Sequence, residues 1–300
     1  VVPILLPAAP PTPAVPPAPV PPPPVPATPE SSVPSKPVVK AAPVVKRRPG
    51  ETKLKPDKPD KRDRKYMVPA HIDVAALPVS VDLRHGMPPV YSQGDLGSCT
   101  GQAIGADCHY QMVRQGGNVW QPSALFIYYN ERMIEGSIMQ DSGAELRDGM
   151  KAINRWGICS EAKWAYDISK FRVKPPRTAY SEASKHKIFD YARIGQSLIQ
   201  FKSVLAAGDP FVFGFSVYES FEGDTVAKTG MMPMPSMREN MLGGHAVLAV
   251  GYEDSRNAFI IRNSWGSSWG DNGYFYMPYE FIVDDDFAAD FWTVRFVPNV

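Results

Sequence analysis

Three hundred residues, 44% of them hydrophobic, are enough for one large domain or two small ones plus a tail, and a formal charge of +1 makes the chain neither polyanion nor polycation. No apolar run approaches the about 20 residues of a membrane span. Three cysteines are too few for a disulfide framework, and with Cys99 kept free only Cys108 and Cys159 remain to pair. The charge is unevenly placed: Lys40 to Lys65 holds eleven basic and four acidic residues, which leaves −6 on residues 66 to 300. Such a stretch is drawn to anionic surfaces or back onto its own domain.

In chain order, Val1 to about Val44 is rich in Pro and Ala, with an unbroken run from Pro21 to Pro24. Pro removes backbone donors and fixes φ, so polyproline II or disorder is expected; at about 3.1 Å per residue it spans on the order of 120 Å. Val45 to Lys65 is charged and interrupted by Pro, and residues 1–65 together read as a flexible tail, a passive linker in preference to a ligand for proline-binding modules. The start at Val1, without Met, fits a signal peptide already removed and favours a secreted, periplasmic or cell-envelope setting. Tyr66 to Leu77 is a less polar leader, and residues 78–300 form the domain.

Within it, Gln93 to Ala103 reads QGDLGSCTGQA, a Gly-rich approach to a helix from about Cys99 to Val113 with Ala103, Ile104, Ala106 and Tyr110 inward. A second helix is expected within Gln121 to Gly136, capped by Ser123, with Leu125, Phe126, Tyr129 and Met133 inward. Ser142-Gly143-Ala144 precedes a third, ending near Trp156; Trp164 and Tyr166 read as packing residues. A short helix from Phe201 to Ala207 is ended by Gly208. Strands then follow at Phe211–Tyr218, Ala246–Tyr252, Phe259–Arg262, Gly273–Met277 and Trp292–Phe296. Helices first and strands later predict an α+β protein of two lobes, one helical (about 90–200) and one a β-barrel-like sheet (about 201–300), with a cleft between them.

Three polar residues stand out against this plan. Cys99 opens a helix, where the macrodipole favours the thiolate. His245 opens the strand-like GGHAVLAVGY, and Asn263 ends a strand in FIIRNSWGSSWGDNGYFY. A thiol nucleophile needs a base, and the base needs a third group to fix its tautomer. Gln93, six residues before the thiol, offers an amide to an oxyanion.

From about Pro78 onward, QGDLGSC, GGHAVLAVGY and NSWGSSWGDNGY resemble, in order, the three signature segments of papain-family cysteine peptidases, most closely in their bacterial form. The resemblance implies a papain-like fold with Cys99 as nucleophile, His245 as general base and then acid, and Asn263 orienting it. It also implies that Gln93 and the Cys99 N–H form the oxyanion hole and that Trp265 shields the His–Asn hydrogen bond. Gly143, with Ala144, is the candidate for pairing with a substrate backbone as a short antiparallel strand. Gly244, beside His245, leaves room for a substrate side chain, apolar by the resemblance. Two positions depart from the pattern. The family's Cys three residues before the nucleophile is Leu96 here, and the aromatic that usually follows the nucleophile is Thr100. No long amphipathic pro-segment helix is visible; some part of Tyr66–Ala76 is expected to lie over the cleft in extended form.

The reading is therefore a cysteine endopeptidase acting on peptides or proteins, without metal or cofactor. The remaining histidines have no metal-ligand spacing, and no phosphate-binding loop is present. The basic tail lacks interleaved aromatics, so nucleic acid is not an expected partner, and a monomer is favoured. Alternatives are acyl transfer or isopeptide cleavage on the same fold, or a non-catalytic binding protein whose tail is the working part; the full set of four active-site residue types argues against the last.

Overall fold

The computed structural model describes residues 54–296, and the readings made above for residues 1–53 lie outside the described residues. Helices occupy the first half of the domain: α1 (Cys99–Arg114), α2 (Ala124–Glu135), α3 (Leu146–Arg155) and the short α4 (Arg177–Ala183). Seven strands among the described residues form one antiparallel sheet. They are β1 (Ser80–Asp82), β2 (Ile188–Arg193), β3 (Phe211–Tyr218), β4 (Met241–Glu253), β5 (Ala258–Arg262), β6 (Tyr274–Pro278) and β7 (Ala288–Phe296). The strand order is β2-β7-β3-β4-β5-β6, with β1 alongside β4. Three further helices, α5 (Leu198–Ala206), α6 (Asp224–Thr229) and α7 (Tyr279–Val283), decorate the sheet.

α1 is the axis of the molecule. It packs on α2 and α3 on one side and on β3, β4 and β7 on the other. Every residue from Cys99 to Cys108 is buried, so this part of the helix has no solvent-facing side. Small residues make this possible: a Cβ on Gly101 would stand 2.6 Å from the Ala124 carbonyl oxygen, so α2 reaches the α1 backbone only because Gly is there. α2 is also buried beyond one stripe, from Ala124 through Arg132, whereas Met133 is only partly covered. Its cap is the predicted one, with Ser123 Oγ accepting the Phe126 N–H at 3.1 Å and Gly136 closing the helix in the left-handed region. Arg132, buried on this helix, spends its guanidinium on the carbonyls of Ile138, Gln140 and Phe171 and stacks on Tyr128, 4.1 Å from the ring centroid.

β4 explains the long apolar run after His245. It is paired on both edges, with β3 along most of its length and with β5 and β1 beyond. From His245 to Tyr252 it is buried on both faces, so periodicity of two gives way to continuous hydrophobicity. The strand starts earlier than its apolar run because Met241, Gly243 and Gly244 pair with Tyr218, Val217 and Ser216. Two strands arise before the expected lobe boundary near residue 201. β1 crosses from the start of the domain to β4, and β2 pairs with β7 from Arg193↔Trp292 to Ile188↔Phe296. Their pairing partners are about 100 or more residues away, which local pattern cannot register.

Aromatic rings fill the sheet's inner face. Phe201 of α5 lies 5.2 Å from Phe211 and 4.4 Å from Phe291, and Phe213 stacks on Phe291 at 5.4 Å. Phe201→Ala should cost about 3–5 kcal/mol, read as a fall in the urea midpoint at unchanged slope.

Candidate active site

Cys99 is the first residue of α1, preceded by Ser98, whose side chain does not cap the helix. Ser98 Oγ is instead 2.5 Å from Tyr166 OH, which donates to the Gln93 carbonyl at 2.8 Å. Gly97 N–H donates to Asp141, which also accepts from Tyr128 OH at 2.6 Å. The approach loop is thus held from the helical side, and the first-turn N–H groups, outside the intrahelical ladder, surround a thiol with no acidic residue in the same turn. Cys99 and Ala103 are one turn apart on one face. Ala103 borders a small cavity shared with Ala246 and Asn263, which places the thiol's face of α1 toward β4 and the end of β5.

His245 lies fully buried on β4, opposite Phe215 of β3. Its Nε2 is 2.9 Å from Asn263 Oδ1. That same Oδ1 accepts the Ser264 backbone N–H at 2.8 Å. A backbone N–H can only donate, so the atom is the amide oxygen and Nε2 of His245 carries the hydrogen. Nδ1 is left as the basic nitrogen. The Trp265 ring lies 5.0 Å from the imidazole and is itself packed by Trp269 at 5.0 Å and Phe221 at 5.5 Å, so an aromatic wall covers the His–Asn pair.

Gln93 is buried and doubly tied to the other lobe: its N–H donates to the Ser264 carbonyl at 2.9 Å, and its Oε1 accepts Ser264 Oγ at 2.6 Å. Nε2 donates one hydrogen to the Leu96 carbonyl at 2.9 Å, and an amide nitrogen has two. Ser264 and Asp141 were missed in the sequence reading; Ser264 was within reach, as it directly follows Asn263, whereas Asp141 carries no local signal. Tyr166, read as a packing residue, does pack beside Leu96 and also uses its hydroxyl to hold the loop.

The two departures from the signature segments have structural answers. Leu96 is buried with Leu125, Tyr128 and Ala144, so apolar packing stands where a disulfide would. Thr100 Oγ1 donates to Glu131 Oε2 at 2.6 Å; burial, far from solvent, pushes the Glu131 carboxyl up to about 8. Cys108 and Cys159 are free buried thiols, not a disulfide. Burial raises Cys108 well above the ordinary thiol range and pushes Cys159 up to about 12.

The residues expected to face substrate meet the chain's own N-terminal segment, in a stretch read above as tail and here part of the leader. Leu54 N–H donates to the Gly244 carbonyl at 2.9 Å, and Lys55 N–H donates to the Ala144 carbonyl at 3.2 Å. A Cβ on Gly244 would stand 2.9 Å from the Leu54 oxygen, and one on Gly214 of β3 would stand 2.1 Å from Leu54 Cδ2. The two glycines therefore clear the space that Leu54 fills. Gly143, with φ +67, turns its N–H inward to Tyr128 OH at 3.2 Å, so the leader's contact is with Ala144. Tyr66, by contrast, lies along β2, its N–H donating to the Arg193 carbonyl at 2.8 Å; the stretch after it is not the one seated against Gly244 and Ala144.

An anchor follows at Asp57. Its Oδ1 accepts the Arg147 N–H at the start of α3, its Oδ2 accepts Trp292 Nε1 at 2.9 Å, and its own N–H donates to Asp290 at 2.7 Å. Burial, with Asp290 adding repulsion, pushes the Asp57 carboxyl up to about 6. Arg193 bridges this group by donating to Asp290 at 2.7 Å, and Arg147 pairs with Asp63 at 2.7 Å.

The family profile of the papain family cysteine proteases matches residues 77–282. An uncharacterized peptidase C1-like protein of Acanthamoeba polyphaga mimivirus is 44% identical over 271 residues, 83% of this chain and 87% of its own. The crystal structure of xylellain, a cysteine protease from Xylella fastidiosa, is similar with a TM-score of 0.77 at 41% identity, covering 84% of this chain and 98% of that one. Digestive procathepsin L 3 of Tenebrio molitor larval midgut shares the fold, with a TM-score of 0.62 at 19% identity over 78% of this chain and 74% of that one. The chain belongs to the papain family of cysteine proteases: it is a cysteine peptidase, a hydrolase whose substrates are peptides or proteins. Relatives of similar identity come from a bacterium and from a virus, so the bacterial resemblance is one of form and not of source.

Iodoacetamide should modify Cys99 well before Cys108 or Cys159, the latter two reacting only on unfolding; peptide mapping at timed intervals reads this, and equal rates at all three would contradict an activated thiolate at Cys99.

Proposed function

We propose that the cleft carries out endopeptidase hydrolysis through Cys99, His245, Asn263 and Gln93. The observation that carries this reading is the Nε2–H tautomer of His245, held on Asn263 Oδ1 by the Ser264 N–H. With Nδ1 basic, the Cys99 proton moves to it and the sulfur attacks the peptide carbonyl carbon, whose C=O electron pair goes onto oxygen. That oxyanion accepts from the second Gln93 amide hydrogen and from the Cys99 N–H. Collapse breaks the C–N bond as His245 returns its proton to the leaving amine, leaving a thioester. Water, deprotonated by His245, then attacks the thioester and releases the acid and the free thiol. Cys99→Ala should abolish turnover of a fluorogenic peptide. Gln93→Ala should lower kcat about 10²–10³-fold with little change in KM; an equal loss in both variants' binding with kcat retained would refute the roles.

The leader is a plug of this cleft. Its bridge to residue 145 is parallel, whereas a substrate is expected antiparallel there, so Leu54–Lys55 occupies substrate space in the reverse direction and offers no correctly oriented bond. Asp57 makes the plug pH-sensitive. Its carboxyl is raised when docked, from 3.8 to about 6, so docking binds protons: the contribution is full below about 3.8 and is lost as pH rises through about 6. Hydrogen exchange of residues 54–58, corrected for intrinsic rates, should show protection at pH 5 that weakens by pH 7 (on the order of one to two pH units around that pKa), and Asp57→Asn should flatten the dependence.

A further inference from the structure

The plug is also a ligand bound to its own enzyme, and its second residue reports on a part of the cleft that no motif describes. Lys55 Nζ makes an ion pair with Glu135 Oε2 and donates to Ser142 Oγ at 3.1 Å. Glu135 is not an idle surface acid. Its side chain is 9% exposed, and its other oxygen accepts the Glu145 N–H at 2.8 Å, which fixes the carboxylate against the loop that carries Ala144. It is also the last residue of α2, where the helix presents unpaired carbonyls and a carboxylate is electrostatically misplaced. Burial first, then the neighbouring Asp148 and Glu135, raises the Glu145 carboxyl. A cation relieves the misplaced charge at the helix end.

Resting on the peptidase reading of the cleft, we propose that Glu135, with Ser142, is a specificity-determining site that selects substrates carrying Lys or Arg one residue before the apolar side chain seated at Gly214 and Gly244. The reversal of direction supplies the position. In the plug, the residue on the C-terminal side of Leu54 faces Glu135; a substrate running the other way brings the residue on the N-terminal side of its apolar anchor to the same place. Counted from the cleaved bond, the basic residue is the third and the apolar one the second. The Lys55 side chain keeps 37% exposure while paired, so the site is open enough for a longer guanidinium, and bidentate pairing on the fixed carboxylate suits Arg.

The test uses the full chain and three fluorogenic peptides that differ only at that third position: Lys, Gln and Glu, each followed by Leu. A docked plug competes equally with all three, so it lowers every kcat/KM by one factor and cancels from their ratios. The Lys peptide should exceed the Gln peptide by about three- to fivefold, the order of one partly exposed ion pair, with the Glu peptide lowest. Glu135→Gln, which keeps the acceptor for Glu145 N–H, should bring the Lys-to-Gln ratio to within about twofold. In the unaltered protein the ratio should also fall as salt rises from about 20 mM to about 0.5 M, a readout that does not depend on the variant folding. Equal kcat/KM for the Lys and Gln peptides, or a preference that survives in Glu135→Gln, overturns the inference while leaving the hydrolytic reading intact. Absence of hydrolysis for all three peptides, with Cys99 no more reactive than Cys108, overturns both.

Discussion

The hydrogen bond from His245 Nε2 to Asn263 Oδ1 is the contact on which the site depends. It decides which imidazole nitrogen is basic, and the decision is made by a backbone N–H, that of Ser264, which cannot change role. The surrounding architecture keeps water from that bond: Trp265 lies over the ring, and Trp269 and Phe221 back the indole. Ser264 is shared between the two groups, since its hydroxyl and carbonyl also hold Gln93. One short segment after β5 thus fixes both the His245–Asn263 pair and the Gln93 side chain.

The thiol at the N-terminus of α1, itself buried, is held from the helical side. α1 is encased, so Cys99 cannot swing as a surface helix end would; Ser98, Gly97 and Gln93 are tied through Tyr166 and Asp141. The aromatic absent at Thr100 is answered by a buried carboxyl, Glu131, and the absent disulfide by Leu96 packed on Leu125 and Tyr128. Both replacements exchange one kind of rigidity for another, which is why the site's geometry survives them.

The leader shows the same economy. Leu54 enters a space made by two glycines, and Asp57 is locked by Arg147, Trp292 and Asp290. Asp290 lies at φ +63, in the left-handed region that Asp tolerates, and its carboxylate accepts from both the leader and Arg193.

Much of this was legible in the chain. The order Cys99, His245, Asn263, the cap at Ser123 and the strand Phe211–Tyr218 each follow from local chemistry: a cap needs only its own turn, and a strand's composition reflects its own burial. The residues bonded to Gly244 and Ala144 are Leu54 and Lys55, in the basic stretch whose charge suggested a return onto its own domain, and not in the Tyr66–Ala76 segment from which a covering was expected. A Leu flanked by lysines looks solvated until the pocket at Gly214 and Gly244, some 160 residues later, is folded beneath it. Glu135 and Asp57 were silent for the same reason, because a carboxylate's meaning depends on its neighbours and on their distance from water. Residue types and their order, then, were determined by the sequence alone. Direction of the leader, the partner of each buried acid and the pairing of β2 were decided only by tertiary structure, since those are properties of groups brought together across the chain, and no local propensity encodes them.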